Sequence, residues 1–262
     1  MNSAAPIGVF DSGIGGLTVW KEIAAALPHE SMIYIADSGY APYGTRTKKY
    51  IKSRSWLLTR YLLDQGCKLI VVACNTATGA AISTLRKEFQ VPFIGVEPAI
   101  KPAILASRSG HVGVLATEQT FKGEHFKKTS ERFNGSAEVH VQAGNGLVEL
   151  IESGRSESEE AGILLERYLT PMILAGVDQL VLGCTHYPFL IPMISKMVPD
   201  GVTIIDPAPA VARQTRKVLE TSGGINEGKG QPEYTFFSTG DPGQLETMVK
   251  LVAGTYPIKL LS

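Results

Sequence analysis

The sequence predicts an α/β fold of two similar, pseudo-symmetric lobes, each a mostly parallel sheet flanked by helices, with the active site in the cleft between them. Three observations carry this. Short apolar, β-branched runs alternate with amphipathic stretches almost from end to end, the pattern of parallel strands joined by helices. Several of these runs are apolar on both faces, as in a sheet covered on two sides. The runs LIVVACNTAT at 69–78 and QLVLGCTHYP at 179–188 echo one another: an apolar strand, a small residue, a cysteine, then a hydroxyl or amide residue. Each puts a cysteine at the carboxyl end of a buried strand, where open parallel sheets present their ligand sites.

The elements follow in order. Strands are expected at Ile7 to Phe10, Met32 to Ala36, Leu69 to Ala73, Phe93 to Val96, Val112 to Ala116, Glu138 to Val141, Leu180 to Gly183, Thr203 to Ile205 and Tyr234 to Ser238. Between them, Lys49 to Gln65 sets Tyr50, Ile51, Arg54, Leu57, Leu58, Tyr61 and Leu62 three and four apart with Gly66 as the stop, so it reads as a helix. Glu159 to Ala175 reads the same way, with Pro171 expected to kink or break it near Thr170. The segment TSGGINEGKGQP, 221–232, is expected to be a flexible loop.

Length and composition bound the rest. A chain of 262 residues, against a prior of about 150 per domain, makes one large domain or two small ones. With 44% hydrophobic and 19% charged residues the composition is globular. No stretch approaches the ~18 apolar residues of a membrane span. Lys plus Arg number 25 and Asp plus Glu 25, so no net field favours nucleic acid or anionic lipid as a partner. The opening MNSAAPIGVF lacks a basic segment followed by a long apolar run, so no secretory signal is read and a cytoplasmic, reducing location is expected. Cys67, Cys74 and Cys184 are odd in number and far apart, against a disulfide framework and without CxxC spacing.

Four motifs bear chemistry. IGVFDSGIGGLT, 7–18, is a strand ending in Asp11 and Ser12, then a glycine-rich turn into a helix; such a turn suits a small anion. It lacks the G-x-G-x-x-G spacing, and no G-x-x-x-x-G-K-[ST] occurs, so the nucleotide fingerprints fail. ADSGYAPYGTR, 36–46, exposes Tyr43 and the Gly44 amide in a turn, and a structural loop explains it as well as a site does. Cys74 is followed by Asn75 and Thr76, and Cys184 by Thr185 and His186. A free thiol is only a few per cent ionised at neutral pH, so a working thiol base needs activation; Asp11 and His186 are the candidates. Cys67 has no polar cluster beside it and reads as structural. His29, His111, His125 and His140 read as surface or packing residues without acidic or thiol partners in sequence. A metal held by Cys184, His186, Cys74 and Asp11 is possible in residue type, but follows no zinc spacing, and none is expected.

Together DSGIGGLTV at 11–19, ADSGYAPYG at 36–44, ACNTAT at 73–78, VGVLAT at 112–117 and GCTHYP at 183–188 resemble, in order, the motifs of the glutamate racemases in the cofactor-independent aspartate/glutamate racemase superfamily. The similarity runs from about Ile7 to Thr221. The resemblance implies interconversion of L- and D-glutamate without pyridoxal phosphate, metal or other cofactor, to supply D-glutamate for peptidoglycan. One thiolate removes the α-proton and the opposite thiol returns one. Cys74 and Cys184 match the catalytic cysteines, and Asp11 and His186 the polar groups assisting them. Ser12, Tyr43, Gly44, Asn75, Thr76, Thr117 and Thr185, with Asp11 and His186, match substrate-binding positions, and Glu152 matches a further family acid. Where many relatives read A-C-P, this chain has Ala143, Gly144 and Asn145. The lobes are expected at 1–97 plus 208–262 and at 98–207, with glutamate as the partner and association into a homodimer. Without a long N-terminal extension, regulation by a cell-wall precursor is not expected.

Alternatives from the residues stay open. An aspartate racemase, or a related isomerase or decarboxylase, shares the reaction centre. A carboxylate- or phosphate-binding module would use the DSGIGG turn with inert cysteines, and a zinc-thiolate hydrolase would use them as ligands.

Overall fold

The computed structural model describes residues 2–123, 126, 137–228 and 230–261. It divides into two units, Met1–Val96 with Ala208–Ser262, and Glu97–Pro207. Among the described residues no helix is long and apolar enough to cross a membrane.

The first unit is built on a six-stranded sheet. In chain order its elements are β1 (Ile7–Asp11), α1 (Leu17–Ala26), β2 (Met32–Ala36), α2 (Lys48–Asp64), β3 (Leu69–Val72), α3 (Asn75–Glu88) and β4 (Phe93–Gly95). The second unit follows with α4 (Ile100–Ala106), β5 (His111–Ala116), α5 (Glu118–Lys122), β6 (Glu138–Ala143), α6 (Leu147–Glu152), α7 (Glu159–Leu174), β7 (Gln179–Gly183), α8 (Ile191–Met197) and β8 (Thr203–Ile205). The chain returns to the first unit with α9 (Ala208–Thr221), β9 (Tyr234–Ser238), α10 (Pro242–Val252) and β10 (Ile258–Leu260).

The strand orders are β10-β9-β2-β1-β3-β4 and β6-β5-β7-β8, and every pair is parallel. Each unit therefore contains the same motif. The first strand is flanked by the second on one side and by the third on the other, with the fourth beyond the third. Where the order reverses, between first and third strands, the helices leave toward opposite faces and open a crevice at the strands' carboxyl ends. In the first unit that point lies after Asp11 and Val72, and in the second after Ala116 and Gly183.

Burial explains the central strands. All residues of β1, β3 and β7 are buried, as strands covered by helices on both faces must be. The edge strand β6 is instead half exposed and carries Glu138, His140 and Gln142, polar residues that discourage further pairing. Phe10, Ile35, Ile70, Val72 and Leu58 share the first unit's core, and Ile100, Val112, Val114 and Val181 the second's.

Three expectations need correction. Helix α7 runs unbroken through Pro171 to Leu174. The proline lies in the last turn, where Ala175 N donates to Pro171 O and Val177 N to Met172 O, so the missing amide costs one bond near an end rather than the helix. The 221–232 stretch is tied down at Asn226, whose N donates to Glu30 Oε1 at 2.7 Å and whose Nδ2 donates to His29 O at 2.8 Å. Glu30 is itself held at 2.5 Å by the buried Lys68. Finally, His111 and His140 are not isolated, since Glu138 lies 3.7 Å from each. His125 falls outside the described residues.

Candidate active site

The first unit presents Asp11, Ser12, Cys74, Asn75 and Thr76, all buried, at its switch point. Asp11 ends β1 with a carboxylate that accepts from Ser12 N at 2.6 Å and Gly16 N at 2.5 Å. Glycine is required at 16, because a Cβ there would come 2.6 Å from Asp11 Cβ and 2.9 Å from Tyr34 Oη. The DSGIGG turn thus spends two of its amides, those of Ser12 and Gly16, on a buried carboxylate of its own.

Cys74 is the N-cap of α3, its sulfur accepting from Ala77 N at 3.4 Å. The amides and dipole of a helix start suit negative charge at such a cap. Cys74 Sγ also lies 3.7 Å from Ser12 Oγ, which lies 3.3 Å from Asp11 Oδ1. Thiol, hydroxyl and carboxylate thereby form a relay. Next to it, the Asn75 side chain is buried, and neither its oxygen nor its nitrogen has a hydrogen-bond partner among the described residues. Leaving such an amide unmatched is costly unless a ligand completes it.

The turn does not expose Tyr43 as expected: the side chain is buried, because its hydroxyl donates inward to the buried Asp37. Burial first, then the Asp37 charge and hydrogen bond, then the Cys74 sulfur push the phenol's pKa far upward, so it stays protonated. Asp37 also accepts from Arg54 Nη2 at 2.7 Å and Nε at 3.0 Å, and from Thr239 Oγ1 at 2.9 Å. The Arg54 guanidinium lies 3.5 Å from the Tyr40 ring centroid. This brace holds the 36–44 loop carrying Tyr43 and Gly44, and sequence reasoning missed it. The signal was present: Asp-Ser-Gly closes β1 at 11–13 and recurs at 37–39 just after β2.

The second unit presents Thr117, Cys184, Thr185 and His186 at its own switch point, the last three buried. Thr117 caps α5, accepting from Thr120 N at 3.3 Å. Cys184 Sγ lies 3.8 Å from His186 Nδ1, and His186 Nε2 donates to Glu152 Oε1 at 2.5 Å. Burial alone would pull the imidazole's pKa down. Its hydrogen bonds to Cys184 and Glu152, with their charges, outweigh that and raise it well above the ordinary value. Glu152 comes from the last turn of α6. Here thiol, imidazole and carboxylate form the relay.

Cys67 contrasts with both. It is buried in the first unit's core, and burial pushes its thiol up to about 12, so it stays an unionised packing residue. Exposure does not separate the three cysteines, at 5%, 5% and 7% for Cys67, Cys74 and Cys184; the groups around them do.

Known proteins resemble this chain along most of its length. The Asp/Glu/hydantoin racemase family matches residues 7–215. A glutamate racemase from Ectopseudomonas mendocina is 46% identical over 253 residues, 96% of either chain. Among solved structures, glutamate racemase isoform RacE1 of Bacillus anthracis superposes with a TM-score of 0.89 at 32% identity, covering 99% of this chain and 97% of its own. The glutamate racemase of Francisella tularensis, solved with D-glutamate, gives 0.86 at 30% identity over 99% and 98%. With its two parallel sheets flanked by helices and these relatives, the chain belongs to the Asp/Glu/hydantoin racemase family, among its glutamate racemases.

Proposed function

We propose that the chain interconverts L- and D-glutamate by proton transfer between its own two thiols and the α carbon. The observation that carries this is that each unit sets a buried cysteine just after its third strand with a separate relay to a carboxylate, through Ser12 in one and His186 in the other. A binding module with inert cysteines has no use for two such relays.

In one direction a thiolate takes the α-proton. The Cα–H bond breaks, an S–H bond forms, and the electron pair moves onto the α carbon and its carboxylate. The second thiol gives its proton to the opposite face and is left as the thiolate, so the pair returns to its starting charge with the roles exchanged. Charge builds toward the α-carboxylate in this step, so donors aimed at it matter more in the transition state than in the ground state. Asn75, Ser12, Thr76, Thr117 and Thr185 are the candidates, with Tyr43 and the Gly44 amide on the braced loop. Names of the relatives support glutamate over aspartate. The D-glutamate formed would supply peptidoglycan synthesis.

The test is racemisation of purified L-glutamate in heavy water by the wild type, Cys74→Ala and Cys184→Ala. The wild type is expected to form D-glutamate carrying deuterium at Cα, and each variant to lose turnover while still binding glutamate. Near-normal turnover by either variant would sink the two-thiol reading, and faster turnover of aspartate would reassign the substrate.

A further inference from the structure

We infer that the amino-terminal edge of the second unit's sheet holds a divalent transition-metal site formed by His111, Glu138 and His140. Among the described residues these three are the only group of His, Cys, Asp or Glu side chains whose ligand atoms all lie within 4.8 Å of one another. His111 Nδ1 is 3.1 Å from His140 Nε2, and Glu138 oxygens lie 3.7 Å from each nitrogen. Bonds of about 2.0–2.2 Å in a tetrahedral zinc shell put neighbouring donors roughly 3.3–3.5 Å apart. The observed separations bracket that range.

The scaffold sets this geometry through the backbone. His111 pairs with Glu138 across the parallel ladder of β5 and β6, and His140 lies two residues beyond Glu138. With the side-chain period of two, all three stand on one face of the sheet. The rings are 5.3 Å apart and tilted by 34°, so the two nitrogens converge without parallel stacking. Two imidazoles and one carboxylate form a donor set suited to Zn²⁺, Co²⁺ or Ni²⁺ rather than to Ca²⁺ or Mg²⁺, which prefer oxygen. Glu138 is largely exposed and the two histidines partly so, leaving the remaining positions to water.

The site is remote from catalysis. It lies at the start of β5, whereas Thr117 and Cys184 follow the carboxyl ends of β5 and β7, six residue steps on, or about 20 Å along the strand at ~3.3 Å per residue. An ion there joins edge strand β6 to β5 and stabilises the folded chain by mass action. None of this depends on the racemase reading.

The full chain, stripped with a chelator, is titrated with Zn²⁺ by calorimetry and with Co²⁺ by visible absorption, beside His140→Ala and His111→Ala. The expected result is one equivalent of Zn²⁺ bound, a higher Tm with Zn²⁺ but not with Mg²⁺, and a loss of affinity of at least about 100-fold in either variant, beyond the usual cost of an outer-shell partner. Racemisation by the metal-free His140→Ala chain is expected to match wild type. Affinity retained in both variants, no Zn²⁺ bound, or a Co²⁺ spectrum with a thiolate charge-transfer band would overturn the assignment, the last by moving the ion to a cysteine.

Discussion

The ring of His186 bridges two groups, with Nε2 2.5 Å from Glu152 Oε1 and Nδ1 3.8 Å from Cys184 Sγ. Burial opposes the cation, but the hydrogen bonds to Cys184 and Glu152 and the Glu152 charge outweigh it, which is why the imidazole's pKa stands well above normal. Stability from this bridge is therefore fully present below the unfolded value of about 6.5, and is lost as pH rises through the folded value.

Glu152→Gln keeps the shape and removes the charge. Burial then prevails, and His186 loses its proton at a lower pH. We expect kcat to fall by about 100-fold, the lower end of what a positioned acid or base contributes. The alkaline limb of the kcat profile should move to lower pH, and the Tm deficit against wild type should be largest below the unfolded value of about 6.5 and shrink as pH rises through the folded one. An unmoved alkaline limb with an altered Tm would leave Glu152 a packing residue only.

Asn75 separates function from stability in the opposite way. Its buried amide has no partner among the described residues, and an unmatched polar group costs about 1–3 kcal/mol. Asn75→Ala removes that cost along with the side chain's packing. The expected Tm change is accordingly small or positive, within roughly 1 kcal/mol. If the amide completes its hydrogen bonds on a substrate carboxylate, turnover drops by about 10- to 100-fold, the worth of a charged hydrogen bond. Differential scanning fluorimetry beside a racemisation assay reads both, and a destabilised variant of normal activity would reverse the argument.

What could be read from the chain follows physical range. The buried strands β1, β3 and β7 are visible as apolar runs because both faces are covered, and Cys74 and Cys184 are visible because they end such runs. Strand β10 escaped notice because Ile258–Leu260 is short and mostly exposed at a sheet edge, with neither alternation nor an apolar run to mark it. The Asp37, Arg54 and Thr239 brace joins residues up to 202 positions apart, and no local periodicity records such a pairing. The convergence of His111 on His140 was hidden likewise, because it arises from strand register rather than from spacing within one segment. Asp11 reads from the sequence as a candidate, but its acceptance of the Gly16 amide is a product of the turn's closure.

Gly144 stands against the fully buried Tyr187. A Cβ there would overlap Tyr187 Oη and stand 2.9 Å from Cζ. Tyr187 is fully buried, donates to Gly144 O at 3.1 Å, and its own amide donates to Cys184 O at 3.1 Å. Glycine is therefore needed for space, its φ not being among the positive ones. Because the obstruction begins at Cβ, Gly144→Ala and Gly144→Cys should cost alike, about 1–3 kcal/mol for overpacking, or a Tm loss of roughly 2–12 °C in a chain of this size. Tyr187→Phe in the Ala background removes the nearest atom and should recover part of the loss. Since a displaced Tyr187 pulls on the Cys184 backbone, both single variants should also lose activity at temperatures where they remain folded. A cysteine variant as stable as wild type, while the alanine variant is not, would instead give the thiol a partner of its own and show that the ring yields.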